Sequence, residues 1–257
     1  MVTAMLVVLC AVLGLLVGSF LNVVIARVPL RQSVVRPRSR CPGCATQLAE
    51  RDNVPVVSWV LLRGRCRTCT ERIPARYPLV EAGTAGLFGV AALRFGADWA
   101  LPGYLLLFAV LVAVSVIDLE HFLVPNRIVY PAVVVSVPLL AGAAVLGHDG
   151  DRFARALVGA LLAGGGLLVI HLISPRGMGM GDVKLAVLLG LYLGWLSLGH
   201  VLLGLLLGFV LGSVVGLGLL AAGVRGRKDH LPFAPFLAAG AVMAVLVGRP
   251  LLGWYLG

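Results

Sequence analysis

Two aspartates, Asp118 and Asp182, stand where long apolar runs meet charged loops. They occur in Ile117-Asp118-Leu119-Glu120-His121 and Gly179-Met180-Gly181-Asp182-Val183-Lys184. A carboxylate at membrane depth is expensive, and by default it marks a functional site. Two of them, on separate segments but at one face, suit a pair that shares a proton and activates water. The blander account is that each caps a helix by accepting backbone N–H bonds. Asp182 invites that account, because Gly177-Met178-Gly179-Met180-Gly181 breaks the chain before an apolar helix. Asp118 fits it less well, since apolar residues precede it. The glycine run also imitates a phosphate-binding loop, but no strand precedes it and the required Lys-Ser/Thr is missing.

A second constellation lies in the polar segment 27–77. Cys41-Pro42-Gly43-Cys44 and Cys66-Arg67-Thr68-Cys69 form two Cys-x-x-Cys knuckles with 21 residues between them. That gap is just beyond the usual four-cysteine zinc spacing, but the paired knuckles are specific. Four thiolates complete a closed tetrahedral site, which leaves no open position for substrate and so predicts a structural ion. Disulfides or unmetallated thiols are the competing readings. A cytoplasmic setting argues against disulfides, and some fifty mostly polar residues need a staple to fold.

The elements that must carry these groups are membrane helices. The hydrophobic fraction is 60%, charged residues are 12%, and mean hydropathy is +1.03. With about 20 apolar residues per span, eight segments qualify, near 3–26, 78–95, 101–117, 128–147, 155–173, 183–199, 201–223 and 232–248. The expected fold is an all-α polytopic membrane protein with a small cytoplasmic four-cysteine domain inserted after the first helix. Its expected divisions are a first helix at 1–26, a zinc-binding domain at 27–77 and a membrane domain at 78–257.

If the spans alternate, one side collects seventeen of the 21 basic residues, including Arg127, Arg176, Lys184, Arg225, Arg227 and Lys228. The positive-inside rule then makes that side cytoplasmic and sets both termini outside. A pI near 10.1 is accounted for by this topology, so no nucleic-acid partner is expected; membrane lipid is. Met1 to Ser19 lacks a positive n-region and a small-x-small cleavage pattern, and reads as a transmembrane helix with one buried thiol, Cys10. Gly204, Gly208, Gly212 and Gly216 recur every four residues, as do Gly14 with Gly18 and Gly190 with Gly194. Such faces let helices approach closely in lipid. No internal repeat is strong enough to argue from. His121 reads as interfacial, the other histidines show no metal spacing, and Glu81 reads as a partner for a helix N-terminal dipole.

Several motifs in order resemble the type IV prepilin peptidases, membrane aspartic proteases of the GxGD class. They begin with Gly18-Ser19-Phe20-Leu21-Asn22 and Arg27-Val28-Pro29, and continue through the cysteine knuckles. Asn53-Val54-Pro55-Val56-Val57-Ser58-Trp59 and Arg76-Tyr77-Pro78-Leu79-Val80-Glu81 follow. The two aspartate motifs come next, the first extended by Phe122-Leu123-Val124-Pro125-Asn126, and the series closes on Leu231-Pro232-Phe233-Ala234-Pro235-Phe236-Leu237. Asn126 stands where the family often has an acid, and Glu120 where aspartate is common. Neither matches a catalytic aspartate.

The resemblance implies a plasma-membrane (inner-membrane) endopeptidase that removes a short basic leader from prepilins or pseudopilins at the cytoplasmic face. Asp118 and Asp182 match its catalytic pair. Gly179, Gly181 and Lys184 fall in the active-site loop, where the glycines would permit a tight backbone approach. Lys184 reads better as the inside edge of its helix. The ionised aspartate would draw a proton from attacking water, while the protonated one polarises the carbonyl and assists the departing amine. The cysteine domain further implies N-methylation of the new N-terminus with S-adenosylmethionine, although no methyl-donor fingerprint is legible. Any such site must lie on the cytoplasmic domain or its junction with the helices. The competing functions are a proton-coupled transporter, which should place its acids at the bilayer midplane with repeat symmetry, and a non-catalytic membrane scaffold.

Overall fold

The computed structural model describes residues 2–36, 38–41, 43–47, 49–175, 177–224 and 231–256. Pro42, Arg176, Arg225, Arg227, Lys228 and His230, all used above, lie outside the described residues. Within them the chain is all-helical. Its helices are α1 (Val2–Arg27), α2 (Val57–Leu61), α3 (Arg76–Phe95), α4 (Leu101–His121) and α5 (Asn126–Gly147). They continue as α6 (Gly150–Ile173), α7 (Met180–Leu196), α8 (Leu198–Ala221) and α9 (Ala234–Leu256).

Six of these, α1, α4, α5, α6, α8 and α9, are long and apolar enough to cross a membrane. The chain is therefore a multi-pass helical membrane protein. Helices α3 and α7 match the other two expected spans but fall outside that set, α7 with only 17 residues. Two boundaries differ from the hydropathy edges in a way that matters. Helix α4 runs past Ile117 to His121, so Asp118 is a helical residue. Helix α7 begins at Met180, so Asp182 is its third residue. Hydropathy ends a span at the first charge, whereas backbone hydrogen bonds continue through it.

The chain forms two compact units, residues 1–97 and 98–257. In the first, α1 lies close against α3. A Cβ on Gly14 would stand 2.7 Å from Ala85 Cα, and one on Gly18 would stand 2.7 Å from Glu81 Cα. Only glycine permits that approach. Between these helices the chain makes the two cysteine knuckles and the short α2.

The second unit is built around α7, twelve of whose 17 residues are buried. That makes α7 the central helix, and its glycines explain how neighbours reach it. A Cβ on Gly190 would meet the Gly159 carbonyl at 2.3 Å, and one on Gly194 the Arg155 carbonyl at 2.6 Å, so α6 and α7 touch through their backbones. Helices α8 and α9 do the same at Gly208 and Gly240, where a Cβ on Gly240 would be 2.4 Å from Gly208 N. The four-residue glycine face thus has α9 as its partner.

A buried polar chain ties three helices of this unit together. Tyr104 Oη of α4 donates to the Tyr192 carbonyl of α7 at 2.8 Å, and Tyr192 Oη donates to Ser136 Oγ of α5 at 2.7 Å. Tyr104 is 14 residues before Asp118 and Tyr192 is ten after Asp182. These bonds therefore fix the aspartate helices roughly 15–20 Å along their axes from the carboxylates. Ser197 alone separates α7 from α8; it is extended (φ −173°) and its hydroxyl accepts the His200 N–H. The outward residues of α8, including Leu202, Leu206, Val210, Val214 and Leu217, are exposed and apolar. In a membrane they face lipid tails, which is what such a stripe requires.

Candidate active site

Asp118 is buried, one turn before α4 ends at the left-handed residue Phe122, whose N–H returns to the Asp118 carbonyl. Its side chain leaves its own helix and receives the backbone N–H of Ala234 at 3.0 Å. The first N–H groups of a helix have no partner within it. Asp118 thus serves as a cap for α9, contributed by α4. The Leu231–Leu237 motif, which carried no role as sequence, is the segment that meets this carboxylate.

Asp182 is also buried, on the first turn of α7. Gly179 is the residue before the helix, in extended conformation, and no side chain of its own can cap it. The Asp182 carboxylate folds back to the Gly179 N–H instead. This is the reciprocal half of a capping box, with the acid at the third helical position. The helix-cap account of Asp182 therefore describes a real bond. It does not exclude chemistry, because the charge of Asp118 also acts on Asp182. The two carboxylates are within electrostatic reach of each other.

What brings the two segments together is Gly181. A Cβ there would stand 2.6 Å from Val124 Cβ, in the loop that leaves Asp118. Gly181 is helical, in the first turn of α7, and its missing side chain lets the α4–α5 loop rest on that turn. Lys184, two residues beyond Asp182 on α7, donates from Nζ to Asn126 Oδ1 at 3.0 Å and sits 5.2 Å above the Tyr130 ring. It is thus turned toward the start of α5. His171 of α6 holds the glycine loop through its Nδ1, 2.8 Å from the Met178 carbonyl. A carbonyl can only accept, so Nδ1 carries the proton. His121 is exposed at the end of α4.

The cysteines form a separate cluster in the first unit. One sulfur from each of Cys41, Cys44, Cys66 and Cys69 lies within 4.8 Å of every other. Cys41 and Cys69 sulfurs are 3.7 Å apart, and four sulfurs bonded tetrahedrally to one ion would be about 3.8 Å apart. The donor set fits a single closed tetrahedral ion. Each knuckle has the same local construction. Cys41 N–H donates to Thr46 O and Ala45 N–H to Cys41 O; Cys66 N–H donates to Glu71 O and Thr70 N–H to Cys66 O. Ala45 and Thr70 are both left-handed, and bridges Arg40 to Gln47 and Arg65 to Arg72 close the two turns. The turns aim backbone N–H groups at sulfur. Those of Cys69 and Thr68 push the Cys66 thiol down to about 6, toward the thiolate form that binds metal.

Comparison with known proteins places this arrangement. The Bacterial Peptidase A24 N-terminal domain matches residues 12–95, and the Type IV leader peptidase family matches residues 105–219. The Prepilin leader peptidase/N-methyltransferase of Bacillus subtilis (strain 168) is 33% identical over 245 residues, 95% of this chain and 96% of that protein. The chain belongs to the type IV leader peptidase family. The like-named protein of Aeromonas salmonicida (strain A449) is 36% identical over 271 residues, 95% of this chain and 91% of its own. That of Myxococcus xanthus (strain DK1622) is 44% identical over 228 residues, but this chain spans only 65% of its length. Among solved structures none matches the chain.

Within this leader peptidase, sequence reasoning passed over three contributors to the candidate site. Ala234 acts through its backbone and Val124 through its bulk, neither of which a residue type announces. His171 looked isolated because its partner is a carbonyl. The two knuckles are a structural repeat, and its trace in the sequence is the matched Arg-Cys-x-x-Cys at 40–44 and 65–69. Glu81 proves to be no dipole partner. It is the sixth residue of α3, and its Oε2 accepts the Val56 N–H at 2.7 Å.

Proposed function

We propose that Asp118 and Asp182 are the catalytic pair of a prepilin leader peptidase, which cleaves the basic leader of prepilins or pseudopilins at the cytoplasmic face of the plasma membrane. The relatives are named for both leader peptidase and N-methyltransferase activities, and this enzyme carries both. The observation that supports the catalytic reading is the meeting of two buried carboxylates, each oriented by a backbone N–H at a helix start.

Two carboxylates within electrostatic reach of each other hold one proton between them more easily than none. The ionised oxygen accepts a proton from water as that water attacks the scissile carbonyl. The protonated one donates a hydrogen bond to the carbonyl oxygen and then a proton to the leaving amine. Ala234 and Gly179 N–H groups keep both side chains from rotating away, which preserves the geometry through the cycle. Gly179 leaves backbone open beside the pair for an extended substrate strand, while Gly181 lets the α4–α5 loop close against the same turn. Lys184 sets the edge of this face.

In the same reading residues 27–77 form a cytoplasmic zinc domain, residues 78–257 the peptidase domain, and the basic loops hold both on the inner side. Cys41, Cys44, Cys66 and Cys69 would hold zinc, whose contribution is to close the knuckles. S-adenosylmethionine would supply the methyl group for the new N-terminal amine. Cleavage of a co-expressed prepilin, read as a mass shift, tests the reading. Wild type should shorten the substrate and add a methyl group, and Asp118→Asn or Asp182→Asn should leave it uncut.

A further inference from the structure

The first unit contains a cavity of about 260 Å³ bounded by α1, α3 and the knuckle segment. We infer that this cavity is the binding site for the adenosyl sulfonium methyl donor, an inference that rests on the methyltransferase reading above. Its defining feature is an unsatisfied acceptor. Asn22 is 4% exposed, its Nδ2 donates to the Tyr77 carbonyl at 3.1 Å, and its Oδ1 is buried with no hydrogen-bond partner. A buried acceptor left without a donor is costly, and native chains keep one where a ligand completes it.

Asn22 does not stand alone. Glu81, 8% exposed, lines the same cavity. Its carboxylate is fixed by the Val56 N–H at 2.7 Å, by the Ser19 hydroxyl and by the Asn22 side-chain amide. Val56 has a positive φ (60°, with ψ −50°), an unfavourable conformation for a β-branched residue. Strain of this kind persists where surrounding structure enforces it, and it gathers at binding sites. Here the enforced result is a carboxylate held on the cavity wall and bonded to the Asn22 amide N–H. A carboxylate on the wall selects a cationic group carrying N–H or polarised C–H donors. The sulfonium and ammonium of the donor are both of that type.

The remaining walls fit the rest of the molecule. Trp59 lines the cavity, with its indole fixed by donation from Nε1 to the Ile73 carbonyl at 3.1 Å. A ring locked in this way is a stacking surface for a purine. Arg40 and Arg72, which close the two knuckle turns, also line it and supply positive charge for a carboxylate. A metal in the knuckles would hold these two walls in register.

Purified full-length enzyme in detergent, titrated calorimetrically with S-adenosylhomocysteine, tests the assignment. Wild type should bind one equivalent. Trp59→Ala should weaken binding about tenfold or more, while Trp59→Phe stays within about threefold because a ring remains. Asn22→Leu should weaken binding about tenfold with metal content and unfolding temperature unchanged, a combination that a purely structural role would not produce. Metal content reports folding of each variant. Should Trp59→Ala lose its metal, Asn22→Leu carries the test, since it lies on α1 away from the cysteines. Folded variants that bind like wild type, while wild type binds and methylates, overturn the cavity assignment and leave the methyltransferase reading standing. A wild-type enzyme that cleaves prepilin but neither binds the probe nor methylates overturns both.

Discussion

The Ala234 backbone N–H donates to the Asp118 carboxylate at 3.0 Å, so an acid near the end of α4 caps the start of α9. The bond separates two roles that one substitution would otherwise confuse. Asparagine can still accept from Ala234 but cannot shuttle a proton, whereas alanine also leaves that N–H buried and unpaired. Asp118→Asn should therefore cost little stability and Asp118→Ala about 1–2 kcal/mol. Thermal unfolding in detergent should rank them in that order, with both inactive.

Gly181 should be intolerant for a local reason. A Cβ at this position meets Val124 Cβ at 2.6 Å, and overpacking of this kind costs about 1–3 kcal/mol. Gly181→Ala should lose cleavage by moving the α4–α5 loop. The rescue pattern is the check. Val124→Gly removes the opposing atom and should restore activity in the double variant, whereas Val124→Ala retains that atom and should not.

Glycines that look alike in sequence should behave differently. Gly190 faces backbone of α6 at 2.3 Å, while nothing lies within 4 Å of a Cβ on Gly165. Gly190→Ala should force α6 and α7 apart and lower the unfolding temperature sharply. Gly165→Ala should be neutral or stabilising by up to about 1 kcal/mol, because alanine favours the helix.

Four sulfurs within 4.8 Å of one another can all ionise together only when a cation joins them. Elemental analysis should find one zinc per chain, and a serine at any of Cys41, Cys44, Cys66 or Cys69 should release it. Strong chelation should unfold the knuckle segment. Asp118→Asn and Asp182→Asn should keep the full complement of metal, since neither carboxylate belongs to the cluster.

Much of this architecture could be read from residues because membrane helices are written in long apolar runs. The cysteine knuckles were legible as a paired spacing, and the fold gathers their four sulfurs within 4.8 Å of one another. The small-residue faces announced close packing without naming a partner. That Gly190 meets Gly159, or that Gly208 meets Gly240, depends on which helices become neighbours, and no local pattern carries that. Asp118 and Asp182 were found by the cost of burying charge. Their orientation was not, because it comes from backbone N–H groups of Ala234 and Gly179 that every residue type except proline possesses. Glu81 was misread since its partner, the Val56 N–H, comes from a loop 25 residues earlier in the chain.

The central claim is that the two aspartates act as one unit, and kinetics on a purified prepilin with Asp118→Asn, Asp182→Asn and the double variant tests it most directly. Each single change should lower kcat/KM by about 10²–10⁴, with metal content unchanged. The double variant should be no worse than the poorer single, as expected for groups that work only together. Single variants that cleave as fast as wild type, or a double loss equal to the product of two independent ones, would contradict the account.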